Sequence, residues 1–386
     1  MLTQLHKTPW PYFGGKADAA PAVWAALGDC DHYVEPFAGS LAVLLRRPHV
    51  ANRTYHSETV NDMDGLLVNA WRAIQLSPDA TAEAASWPVS EADMHARHLA
   101  ILRWRREHEL ERLMGDPHWH DPVIAGWWIW GTSCWIGSGW CSGRGPWIVG
   151  ADGRIAKREK AKAGEGVSRQ LPHLANDGRG VNHPQAREEG VSRQLPHLAN
   201  NGRGVNHPQA REEGVGRDEN HGYHPLTMPE IRRWFAFLSA RLRHVRILNG
   251  DWQRATTGGA LQTLPVRQGG ACGLFLDPPY RTSDTRAADL YAHDDGDRIS
   301  SDVRAWCLEN GHHKWLRCVL AGFAGEGHEE LERHGWTAVE WYSKGFLKGG
   351  MANQGDNTQQ HKERLWLSPH CLRPATQSQL SLLGDP

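Results

Sequence analysis

His32-Tyr33-Val34-Glu35-Pro36-Phe37-Ala38-Gly39-Ser40 reads as a short apolar strand that ends at Glu35-Pro36 and turns at a glycine. Proline cannot donate to a strand ladder, and glycine lets the backbone bend sharply or approach a ligand. Working outward, Ala20 to Leu27 is a short apolar helix, and Leu41 to Arg46 reads as a helix start. Thr54 to Val60 forms a second strand, followed by a helix with Leu66, Leu67, Ala70, Trp71 and Ile74 at helical spacing. Strand–helix–strand–helix order implies parallel pairing and a three-layer α/β sheet. After about residue 226 the rhythm returns. Thr227 is placed to cap a helix carrying Ile231, Trp234, Phe235, Leu238 and Leu242. Strands are expected at Val245 to Leu248, Gly273 to Leu276, Leu316 to Ala321, Trp336 to Trp341 and Arg364 to Leu367. One α/β domain is therefore split by a large insertion, and ligands in such sheets sit at the carboxyl ends of the strands.

Between about 76 and 225 the texture changes. Glu91 to Met114 reads as helical, and then Trp127, Trp128, Trp130, Trp135, Trp140 and Trp147 stand among glycines without periodicity. A near-perfect tandem repeat of 24 residues follows over 166–213. Gly166-Val167-Ser168-Arg169-Gln170-Leu171-Pro172 recurs as Gly190-Val191-Ser192-Arg193-Gln194-Leu195-Pro196, and the one change in the unit sets Asp177 against Asn201. Two units this poor in apolar residues cannot support a solenoid. They read either as a tolerated surface loop or as a DNA-contacting arm, each copy offering three arginines and two histidines.

Composition narrows the class. At 386 residues the chain has room for two domains, or one with an insertion, and 40% hydrophobic residues suffice for a core. No run reaches the ~18–20 apolar residues of a membrane helix, and Met1 to Lys7 lacks the apolar run of a signal peptide. A soluble, cytoplasmic protein is expected. The 7 cysteines are scattered, odd in number and never spaced Cys-x-x-Cys, so neither a disulfide frame nor a zinc ribbon is indicated. Cys134 and Cys141 with His118 and His120 are too loosely spaced for a metal site, and no metal is predicted. The net charge of −1 gives no sign of nucleic acid. Local basic clusters do exist: Arg97, Arg103, Arg105, Arg106 and Arg112 on one helix, then Arg144, Arg154, Lys157, Arg158, Lys160 and Lys162. Of these, Arg144, Lys157 and Arg158, with Arg169 and Arg193 of the repeat, are the candidate DNA contacts.

Four short motifs fall at turns or strand ends. Tyr12-Phe13-Gly14-Gly15-Lys16 is a tight turn with an aromatic before it and a lysine after it. Glu35-Pro36-Phe37-Ala38-Gly39-Ser40 lies between a strand and an expected helix, whose first N–H groups would suit a carboxylate or phosphate. Leu41 stands where a Gly-x-Gly-x-x-Gly dinucleotide signature would want another glycine, which argues against a nicotinamide enzyme. Asn61-Asp62 ends the second strand, where an acidic residue either accepts from the ribose hydroxyls of an adenosine-bearing ligand or caps a helix. Asp277-Pro278-Pro279-Tyr280 is the most specific. An exocyclic amine is a poor nucleophile because its lone pair is delocalised into the ring. Asp277 and the Pro278 carbonyl can each accept one N–H, which favours a pyramidal nitrogen. Consecutive prolines stiffen that carbonyl, and Tyr280 can stack on the base.

Together and in this order, the motifs resemble the Dam-like N6-adenine DNA methyltransferases of bacteria and phages, in the alpha-group arrangement with a target-recognition domain inserted before Asp-Pro-Pro-Tyr. The resemblance covers about 1–75 and 245–370. It implies a Rossmann-like S-adenosylmethionine-dependent methyltransferase sheet in two parts, 1–75 and 245–370, around a mainly helical and loop-rich recognition insertion at 76–244, with a tail at 371–386. It further implies that Tyr12, Gly15, Lys16, Asp62 and Asp277 line the S-adenosylmethionine pocket, with Glu35, Phe37, Gly39 and Ser40 shaping its methionine side. Asp251, with Trp252, would flank the cofactor adenine. Asp277, Pro278, Pro279 and Tyr280 would hold a flipped adenine of double-stranded DNA, with the protein acting as a monomer or homodimer. Two other readings stay open: transfer to cytosine N4 or RNA adenine, and a non-catalytic DNA-binding protein on the same fold.

Overall fold

The computed structural model describes residues 7–10, 12, 14–48, 57–135, 140–141, 227–279, 296–341 and 363–373, with short strand segments between 147 and 223. In chain order the principal elements are α1 (Ala20–Leu27), β1 (His32–Glu35), β2 (Ser57–Asp62), α2 (Gly65–Leu76), α3 (Pro78–Ala85), α4 (Glu91–Gly115) and α5 (Pro122–Cys134). Further along the chain come α6 (Met228–Leu242), β3 (Val245–Asn249), β4 (Cys272–Leu276), α7 (Gly296–Asn310), β5 (Leu316–Phe323), β6 (Thr337–Glu340) and β7 (Glu363–Leu367).

The seven strands form one sheet in the order β6-β7-β5-β4-β1-β2-β3. Pairings from β5 through β4, β1 and β2 to β3 are parallel, whereas β7 runs antiparallel to both β5 and β6. The chain first builds outward from β1 through β2 to β3, then returns to the other side of β1 with β4. The order therefore reverses between β1 and β4, and a crevice opens at their carboxyl ends. Alternation along the strands sends side chains to two cores. Cys272, Leu274 and Leu276 of β4 join Val303 and Cys307 of α7 on one face, while Phe275 joins α1, α2 and α6 on the other. This is the expected three-layer α/β arrangement.

Helices α4 and α5 share the sheet's core. Ile101, Trp104, Leu113, Ile124, Trp128 and Ile129 belong to the same buried cluster as Tyr33, Val60 and Trp71. Arg72 of α2 fastens the two together: Nε and Nη2 donate to the Ile247 carbonyl of β3 at 3.1 and 2.9 Å, and Nη1 donates to Leu113 and Asp116 at the end of α4, both at 2.9 Å. Thr227 caps α6 as expected, its N–H and Oγ1 both donating to Glu230.

One expectation is corrected, and one unassigned stretch takes a definite form. Leu41 to Arg46 is no α-helix; only the three-residue 3-10 turn Leu44–Arg46 forms, because Leu41 takes a left-handed φ of 53° that interrupts a right-handed helix. The first part of the tryptophan–glycine stretch is α5, started by Asp121, whose Oδ1 accepts from Val123 and Ile124 N–H at 3.0 Å. Its glycines serve close packing. A Cβ at Gly126 would lie 2.7 Å from the Thr81 carbonyl of α3, and the Trp140 ring fills the space beside Gly131. No helix among the described residues is long and apolar enough to cross a membrane.

Candidate active site

The crevice at the sheet's switch point gathers most of the sequence-predicted residues. Glu35 ends β1, Asp62 ends β2, Asp251 lies two residues past β3, and Asp277 directly follows β4. The Gly14-Gly15 turn brings Lys16 across this edge. Its ammonium, 4% exposed, lies 3.1 Å from Asp277 Oδ1 and donates to the Gly14 carbonyl at 2.9 Å. Residues some 260 apart in sequence thus meet in one ion pair, buried on the Lys16 side and half-buried at Asp277.

The loop after β1 is held from several sides. Asp62 Oδ2 accepts from Gly39 N–H and Oδ1 from Asp64 N–H, both at 2.9 Å. Burial pushes the Asp62 carboxyl up to about 6, while the Asp64 and Gly39 N–H groups hold it down. Trp71 Nε1 donates to the Gly39 carbonyl at 2.9 Å, and Asn61 Nδ2 joins the Pro36 and Gly250 carbonyls at 3.1 and 2.9 Å. Gly39 has φ 45°, and a Cβ there would come within 2.8 Å of the Tyr12 ring. Tyr12 therefore lies over the glycine turn, 42% exposed at the mouth of the crevice. Gly15 packs against Ser40, whose carbonyl takes the Thr8 hydroxyl at 2.6 Å. The expected helix N-terminus is missing here, and the Gly39 N–H is spent on Asp62 instead.

Glu35 is buried and accepts from the Tyr33 hydroxyl at 3.0 Å. Burial pushes its carboxyl up to about 8; the Tyr33 bond opposes this and the charge of Asp277 adds to it. Glu35 is therefore protonated at neutral pH. Phe37 and Trp252 stack at 6.1 Å with 25° between their planes, joining the loop after β1 to the segment after β3. Asp251 is exposed, with Oδ1 accepting from Gln253 N–H at 2.8 Å.

Pro278 is buried and Pro279 partly so. Tyr280 lies outside the described residues, as do Arg144, Arg158, Arg169, Arg193 and all of the repeat except the strand pair His173–Leu174 and Val181–Asn182. Lys157 ends a two-stranded ladder with Trp147–Val149. In α4, Arg97 is no open surface cation: its guanidinium packs over Trp87, Trp127 and Trp130 at 5.2, 5.6 and 4.4 Å.

Sequence reasoning missed Glu363. It opens β7 and pairs with Phe323; because β7 is antiparallel, its first residue reaches the same edge as the last residues of the parallel strands. Burial raises its carboxyl, Lys16 lowers it and Asp277 raises it, which places it in the same electrostatic neighbourhood. Only the strand order could have revealed this residue.

Residues 12–94 match the model of the D12 class N6 adenine-specific DNA methyltransferase family. The matched span holds Tyr12, Gly15, Lys16, Glu35, Phe37, Gly39, Ser40 and Asp62, the β1–β2 half of the crevice; Asp251 and Asp277 lie beyond it. The match supports an adenine-specific DNA methyltransferase, and the seven-stranded α/β sheet is consistent with one. A search among curated proteins returned no match.

Proposed function

We propose that this protein transfers a methyl group from S-adenosylmethionine to N6 of a flipped-out adenine at a specific site in double-stranded DNA. The observation that carries the reading is the Lys16–Asp277 ion pair at the switch point, which joins the Gly-Gly-Lys turn to the head of Asp-Pro-Pro-Tyr. The chemistry of the crevice fits the donor. Asp62 offers a carboxylate at the end of β2, where ribose hydroxyls can donate. Gly39 lets the Tyr12 ring lie directly against the turn, and the acidic and aromatic lining suits a sulfonium cation. When bound, S-adenosylmethionine supplies an already activated methyl group.

The chain's own residues then position and polarise. Lys16 orients the Asp277 carboxylate, which accepts one N–H of the target amine while the Pro278 carbonyl accepts the other. Together they turn the nitrogen lone pair toward the methyl donor. Pro279 stiffens this arrangement, and Tyr280 supplies the stacking face for the base. Unstacking an adenine costs a few kcal/mol, offset by these contacts. Residues 76–244 form the target-recognition part, with Arg144, Lys157, Arg158, Arg169 and Arg193 toward the phosphates.

The test is single-molecule sequencing of DNA from a methylation-free host expressing the protein, beside an Asp277→Ala variant. N6-methyladenine at one recurring motif, absent with the variant, is the expected result. Unmodified DNA from folded wild-type protein would overturn the proposal. Asp277→Ala should leave DNA binding largely intact, and loss of both activities in a folded variant would count against Asp277 as the amine acceptor.

A further inference from the structure

The crevice has a wall built by the insertion. Gly250 follows β3 with φ 137°; a Cβ there would lie 3.6 Å from the Met114 methyl and 3.0 Å from both Cδ and Nη1 of Arg254. Met114 belongs to the last turn of α4, more than 130 residues earlier in the chain. Its neighbour Leu113 is fully buried, and the Leu113 and Asp116 carbonyls are held by Arg72, so the backbone at 114 is fixed to the sheet. The Met114 side chain nevertheless stands 41% exposed, beside an edge that also carries exposed Met63 directly after Asp62. Asn249 Nδ2 donates to the Asp62 and Met63 carbonyls at 2.9 and 3.3 Å, and Gly250 N–H to the Asp62 carbonyl at 3.0 Å, tying both strand ends to one rim.

We infer that Met114 supplies the apolar surface, beside Arg254, against which the purine of the methyl donor's nucleoside packs, so that the insertion contributes directly to the cofactor site. This rests on the proposed use of S-adenosylmethionine. A thioether on an unbranched chain adapts to a flat ring, and the fixed helix end leaves little ordering to be done on binding. Asp62, which would take the ribose, fixes where the purine must lie: over the ends of β2 and β3, where Gly250 and Met114 meet.

The measurement is calorimetric binding of S-adenosylhomocysteine to the full chain, to Met114→Ala and to Met114→Leu, with DNA affinity measured separately without cofactor. Met114→Ala should weaken S-adenosylhomocysteine about five- to tenfold and Met114→Leu should restore most of it, with DNA affinity unchanged. Wild-type affinity in Met114→Ala, or a loss confined to DNA, overturns the inference. If wild type itself fails to bind S-adenosylhomocysteine, the donor proposal falls and this inference with it.

Discussion

Replacing Arg72 by methionine tests how the end of α4 is joined to the sheet. The side chain is 1% exposed and donates to four backbone carbonyls: Ile247, Leu113, Asp116 and, more weakly at 3.4 Å, Trp119. Burial pushes the guanidinium down to about 10, which leaves it charged at neutral pH. Hydrogen bonds from a charged donor contribute roughly 1.5–3 kcal/mol each, and an orphaned buried carbonyl costs about 1–3 kcal/mol. Against this, the variant no longer desolvates a cation, which returns several kcal/mol. Water can also reach Asp116, which is exposed. The balance is a loss of about 3–5 kcal/mol, similar to breaking a buried ion pair by removing one partner.

Urea unfolding followed by tryptophan fluorescence reads this change, with Trp71 and Trp119 close to the site of the substitution. Arg72→Lys should recover only part of the loss, because one ammonium cannot fork between β3 and the end of α4. A loss below about 1 kcal/mol in Arg72→Met would refute the reasoning, since the four carbonyls would then be satisfied without the arginine.

Three further outcomes follow from the geometry. Because the folded-state carboxyl of Glu35 is raised to about 8, the folded state holds a proton that the unfolded chain releases near pH 4.3, so stability falls as pH rises from about 4.3 to 8. Glu35→Gln should lessen that decline, read as a smaller difference between melting temperatures at pH 6 and pH 8.5; an unaltered difference would mean Glu35 is not the titrating group. Leu41→Gly relieves about 1–2 kcal/mol of left-handed strain but removes a fully buried leucine, itself a loss of about 2–5 kcal/mol, so thermal melts should show net destabilisation. Deleting one 24-residue copy from 166–213 should weaken DNA binding and flatten its salt dependence, since each unit carries three arginines; identical salt slopes would make the repeat a passive loop.

The parallel sheet was legible because its strands are short apolar runs followed at once by polar or glycine residues, and Glu35, Asp62 and Asp277 could be placed by that punctuation alone. Helix α5 was hidden by its own composition. A helix buried nearly all round shows no 3.6-residue stripe, and the glycines that let it approach α3 and Trp140 gave no helical signal in the sequence. The Asp121-Pro122 pair was the available signal, a capping acceptor followed by a residue suited to the first helical turn. Glu363 and Met114 carried no local signal. Glu363 reaches the strand ends only through an antiparallel return, and Met114 reaches Gly250 only through a helix end held by Arg72, information that resides in the tertiary arrangement.

Leu41 shows how a departure from an expected residue can preserve the backbone it replaces. Its φ of 53° lies two residues after Gly39 at 45°, so the loop keeps two left-handed positions although only one is glycine. Left-handed leucine costs about 1–2 kcal/mol, and full burial of the side chain in the larger core outweighs it. The strain lies beside the Gly39 N–H that Asp62 accepts and the carbonyl that Trp71 binds, contacts that hold the turn open under Tyr12. The missing glycine therefore argues against a dinucleotide fingerprint without arguing against a tight ligand loop, because conformation and residue type have separated at this position.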